Sequence, residues 1–154
     1  VRSAVPTVFL ILALAGSAAA AADPDRWAVA VFPSGAEFSL EIAADPASRS
    51  RGYMFRESVG PEEGMLFIFE GTGYHGMWMK NCRVPLDIIW LDDSYRVVAI
   101  APEQPPCSPG DPCPPVSPMM PATFVIEVAG GRAEAENLRH GDRITILSDT
   151  PSSP

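Results

Sequence analysis

The sequence predicts a mainly β fold, a compact barrel or sandwich of seven to eight short strands with one or two short helices. Three observations lead there. Short apolar runs recur along the chain, divided by clusters of Gly, Pro, Asp and Ser. Several of those runs alternate apolar with polar residues at the two-residue period of a strand. Helix-start and helix-stop signals bracket only two brief stretches. No heptad and no internal repeat is visible.

Residues 27–32 and 36–43 read as the first two strands, joined by a Pro-Ser-Gly turn into a hairpin. In the second, Phe38, Leu40 and Ile42 fall on one face, Ser39 and Glu41 on the other. Asp45 can cap a helix, Pro46 suits its first position and Gly52 can end it, so a helix of about two turns is expected between them. Residues 64–92 hold three apolar runs, 65–69, 76–79 and 86–91, which read as a strand meander. Alternation in the middle run would set His75, Met77 and Met79 on one face and Trp78 and Lys80 on the other. Pro85 suits a strand start, where a missing N–H is tolerated.

A further strand is expected over 95–101. Residues 102–121 then contain nine of the 17 prolines, a density that no regular element survives, and read as a long loop or lid. Residues 123–128 form the next strand, 132–138 a short helix and 143–147 the last strand.

The 154 residues make one domain by size, able to bury roughly two-thirds of the unfolded chain's surface. Residues 1–22 combine Arg2, an apolar run over 8–15 and an alanine-rich end, the pattern of a secretory signal peptide cut before Asp23. The apolar run is shorter than the roughly 20 residues that span a bilayer, so a membrane is expected only through this segment if it stays uncleaved. The expected organisation is thus a signal peptide over 1–22, one globular domain over 23–148 and a frayed tail over 149–154, in a periplasmic or secreted protein. The mature chain keeps 10 basic against 19 acidic side chains and would repel a phosphate backbone, which excludes nucleic acid as a partner.

In such a compartment Cys107 and Cys113, flanking a Ser-Pro-Gly-Asp-Pro turn, are expected to form a disulfide worth about 2 kcal/mol. Cys82 is left as a buried inert thiol, a reactive nucleophile or an intermolecular partner.

Between the second and third apolar runs lie Lys80, Asn81, Arg83 and Asp87, set among Trp78, Met79 and Pro85. An acid in a run as apolar as 86–91 must be paired or hydrogen-bonded, because an unpaired buried charge costs several kcal/mol. Four segments here, RGYMFRES at 51–58, EGMLFIFE at 63–70, HGMWMKN at 75–81 and PLDIIWLD at 85–92, resemble in order the domain of unknown function 192 family. The resemblance covers most of the mature chain and implies a family without an activity. It also implies a joint role for Arg51 and Arg56, which share its first motif.

The favoured reading is a pocket formed by Arg51, Arg56, Trp78, Lys80, Asn81 and Asp87 for a small anionic or sugar-like envelope ligand. Arginine forks a carboxylate or phosphate and tryptophan stacks on apolar faces. The competing structural reading has Asp87 satisfying Lys80, Asn81 or backbone N–H groups and pinning the turn. A hydrolase would have to draw on Asp87, His75, Cys82 and His140, for no nucleophile elbow, paired-cysteine or zinc-protease motif is present and no cofactor motif is found. His75, Met77 and Met79, with Met119 and Met120, have the imidazole and thioether composition that suits Cu(I), although methionine at strand spacing ordinarily fills core and the resemblance implies an aromatic at position 77. A structural or interaction module of the cell envelope is the remaining alternative.

Overall fold

The computed structural model describes residues 27–108, 110 and 112–147. The expected signal peptide at 1–22 and the tail at 149–154 lie outside the described residues.

Seven strands and two short helices follow in the order β1 (Trp27–Val31), β2 (Glu37–Ala43), α1 (Pro46–Arg51), β3 (Glu63–Gly73), β4 (Leu86–Leu91), β5 (Val97–Gln104), β6 (Ala122–Ala129), α2 (Arg132–Ala135) and β7 (Thr145–Leu147). They form one sheet in the order β5-β4-β6-β3-β2-β1-β7, curled into a half-barrel. The segments leading into the two edge strands meet. Arg96 and Arg143 form an antiparallel bridge, and the Val97 N–H donates to Asp142 O (2.8 Å) and the Ile144 N–H to Tyr95 O (3.0 Å). The mainly β expectation holds, with one curled sheet in place of a two-sheet sandwich.

The β1–β2 hairpin forms as its turn predicts, with the Phe32 N–H donating to Ala36 O (2.9 Å). Asp45 caps α1, accepting from the N–H groups of Ala47 and Ser48. The meander over 64–92 does not form. β2 and β3 are parallel, with α1 in the crossover, and β6 enters between β3 and β4. β3 and β4 are therefore parallel to each other and cannot be joined by a tight turn, so residues 74–85 run as a strap across the sheet instead of as a strand. Within that strap only Met77 makes a bridge, to Val116 of the Pro-rich loop. Pro102 sits within β5, which is tolerated because β5 is an edge strand.

Strand alternation gives the sheet two apolar faces. Phe32, Phe38, Leu40, Leu66, Ile89, Leu91, Ile126 and Val128 fill the concave side, with Ala133 and Leu138 from α2 and its exit packed against them. Met65, Phe67, Ile88, Trp90 and Val125 point outward, where Tyr53, Met77, Met79 and Cys82 cover them. Burying both faces is what leaves β4 buried along its whole length and apolar except at Asp87. It also means that any charged side chain on either face of the central strands is taken out of water.

Candidate functional site

The strap positions the site. Its Met77 and Met79 sink into the outer core and so turn Trp78 and Lys80 outward. Paired hydrogen bonds between Met77 and Val116 (2.8 and 2.6 Å) tie it to the Pro-rich loop, and Met79 O accepts from the N–H groups of Cys82 (3.2 Å) and Cys107 (3.3 Å). Cys107 is disulfide-bonded to Cys113, with 5.7 Å between their Cα atoms, as the spacing suggested. Between strap and loop opens a basin of about 870 Å3 bordered by Phe55, Trp78, Lys80, Asn81, Arg83 and Pro106.

Two of these residues hold left-handed backbone, Asn81 at φ 56° and Phe55 at φ 65°, and they are linked by the Phe55 N–H donating to Asn81 O (2.8 Å). Asparagine tolerates that region; for phenylalanine it costs about 1 kcal/mol. The strain holds the Phe55 ring 59% exposed beside Trp78, which is 42% exposed. Lys80 Nζ lies 5.1 Å from the Trp78 ring centre. No carboxylate lies within ion-pairing reach of Lys80 among the described residues, whereas Arg83 pairs with Glu57.

Of the six residues expected to share a pocket, three do: Trp78, Lys80 and Asn81. Arg51 and Arg56 border a separate cleft of about 500 Å3 between β2 and α1. There Arg56 pairs with Glu41 (2.5 Å) and lies 4.9 Å from the Tyr53 ring centre, while Arg51 is exposed.

Asp87 is not part of the basin. It is fully buried on the concave side of the sheet, where Oδ1 accepts from the N–H groups of Glu103 (2.7 Å) and Gly131 (2.9 Å) and Oδ2 from Ala133 (2.6 Å). A register shift in the β4–β5 ladder accompanies the Glu103 N–H that turns to the carboxylate, and the other two N–H groups open α2. The acid therefore clasps β4, β5 and α2 together, the backbone form of the structural reading.

The hydrolase set is dispersed as well. His75 stacks on Phe69 on the outer side (centroids 3.7 Å apart), its Nε2 at 2.8 Å from Gly71 O, with the sheet between it and Asp87. Nor do the copper candidates converge: Met77 and Met79 are core, Met119 and Met120 are exposed, and among the described residues no three His, Cys, Asp or Glu groups cluster for a metal. Cys82 is a free thiol, 8% exposed, its pKa pushed up to about 11 by burial first and by Glu127 second, which suits the inert reading.

Sequence reasoning missed Glu127. It is 3% exposed, on the outer face of β6 between its cross-strand partners Met65 and Ile88. It has no hydrogen-bond or ion-pair partner among the described residues, and burial lifts its carboxyl to about 8. Burial likewise raises the Tyr53 phenol well above its usual range. The available signal was the doubly apolar run 86–91, which announces that both faces of the central sheet are covered, so that an acid in the neighbouring strand is buried on either face.

The sequence model of the domain of unknown function 192 family, described as an uncharacterized ACR, matches residues 29–146. No curated protein matches the chain. Two crystal structures are similar. One is of a protein from Sinorhizobium meliloti 1021 described as a candidate transcription regulator, 29% identical, with a TM-score of 0.69 over 78% of this chain and 92% of that one. The other is of a protein of unknown function from Novosphingobium aromaticivorans DSM 12444, 30% identical, with a TM-score of 0.67 over 77% of this chain and 83% of that one.

Proposed function

The chain belongs to the domain of unknown function 192 family, and from that premise, which carries no activity, we propose an exported binding protein whose basin takes a small anionic or sugar-like envelope ligand. The observation that carries this reading is the pairing of a lysine lacking a carboxylate partner among the described residues with two aromatic rings held out of the core, one of them by strained backbone. An apolar ring kept partly in water is what a stacking surface requires. Backbone strain persists where the surrounding structure enforces it, commonly at binding sites. In this reading Trp78 and Phe55 cover the ligand's apolar face, Lys80 neutralises its charge and Asn81 supplies an amide. The disulfide in the far wall supports an oxidising compartment. A nucleic-acid partner, the role that the Sinorhizobium neighbour's description suggests, runs against a net charge of −8.

The test is binding, by calorimetry and thermal shift, of a panel of sugar acids, dicarboxylates and phosphorylated sugars to wild type, Lys80→Ala and Trp78→Ala. A hit should weaken at least about tenfold in each variant, with the melting temperature of the free protein nearly unchanged in Lys80→Ala, whose side chain is exposed. Equal binding by wild type and both variants would remove the basin as the site.

A further inference from the structure

Asp87 and Glu127 are the two buried carboxylates of the described chain, and the fold treats them oppositely. Asp87 receives three backbone N–H groups, whereas Glu127 receives none. Glu127 lines a partly open chamber of about 20 Å3 with Tyr53, Phe67, Met77, Trp78 and Cys82, and Arg49 and the exposed Arg51 of α1 border it too. We propose that this chamber is a binding site for the primary ammonium group of a small ligand, with Glu127 as its counter-ion.

Size, charge and lining agree on that occupant. A cavity of this volume takes one water-sized group, which an ammonium is. Its positive charge meets an otherwise unpaired carboxylate, and its N–H groups can donate to both carboxylate oxygens. Tyr53, Phe67 and Trp78 bring aromatic surface to the lining, of the kind that cations favour. A metal ion fits less well. Hard cations need six or more oxygens, and beyond Glu127 and residues 49–52, two of them arginines, the lining is ring, thioether and a thiol whose raised pKa keeps it protonated. The charged groups around Glu127 leave room for a cation. Arg49 spends its guanidinium on the carbonyls of Ala44 and Ile68, Arg51 is solvent-exposed, Tyr53 and Cys82 are neutral, and the flanking positions on β3 and β4 are Met65 and Ile88. Trp78 borders both chamber and basin, but the proposal does not depend on what occupies the basin.

The experiment follows the Glu127 carboxyl carbon in full-length protein labelled with [13C]glutamate, assigned by its absence in Glu127→Gln. Its titration is recorded in about 100 mM methylammonium chloride, tetramethylammonium chloride or sodium chloride. A ligand that binds only the ionised carboxylate lowers the midpoint, and methylammonium should do so by about half a pH unit or more relative to sodium, roughly a threefold change in proton affinity. Tetramethylammonium, too large for the chamber, should match sodium, and Lys80→Ala should leave the methylammonium shift intact. Coincident midpoints in all three salts, or equal shifts with both amines, would overturn the proposal. So would loss of the shift in Lys80→Ala, because a site independent of the basin does not need that side chain.

Discussion

Replacing Asp87 by Asn changes one atom's charge and donor character inside a fully buried site, and its cost follows from three distances. The carboxylate takes N–H groups at 2.7, 2.9 and 2.6 Å. Hydrogen bonds to an ionised group contribute about 1.5 to 3 kcal/mol each. An asparagine oxygen can still serve Glu103 and Gly131, as neutral bonds, but its NH2 then faces the Ala133 N–H, donor against donor. One charge-assisted bond is lost, two are weakened and a buried donor is left unpaired, for a total of roughly 3 to 5 kcal/mol. Against the roughly 5 to 15 kcal/mol that stabilises a domain, Asp87→Asn should be marginal, with its melting temperature lowered by roughly 10 °C or more. Urea unfolding followed by tryptophan fluorescence measures the difference. A variant within about 1 kcal/mol of wild type would refute the clasp. Loss of basin binding at unchanged stability would return Asp87 to the ligand.

Glu127 makes stability fall with pH in an unusual window. Its folded pKa of about 8 exceeds the ordinary 4.5, so between those values the folded state binds more protons than the unfolded one. Stability from this group is complete below about pH 4.5 and is lost progressively as pH rises to about 8. Glu127→Gln should therefore nearly match wild type in urea at pH 5 and exceed it by a few kcal/mol at pH 9; parallel profiles for the two would contradict the burial argument. Opening the Cys107–Cys113 ring in a double serine variant should cost about 2 kcal/mol, and denatured wild type should titrate one thiol, Cys82, with three thiols refuting the bond.

Local signals carried most of the secondary structure. The β1–β2 turn, the Asp45 cap and the apolar run of β4 stand where their residues indicated. Pairing between distant segments left no such mark. Nothing near residue 64 tells that β6, some sixty residues later, will lie against β3, and the meander reading failed for that reason. The site divided along the same line. Trp78, Lys80 and Asn81 sit on one continuous strap and could be grouped by proximity in sequence. The sheet's curvature and the α1 crossover sent Asp87 to the concave side and Arg56 to Glu41, neither of which adjacency reveals. Glu127 drew no notice in the sequence because its cover, Tyr53 and the strap, comes from elsewhere in the chain.

The antiparallel pairing of β7 with β1, which sets Leu147 opposite Val29, brings the beginning and the finish of the described chain to the same border of the molecule. The first and last described strands are thus neighbours. A handful of inserted residues could splice them, and new ends cut into a surface turn would leave all seven strands in their present order.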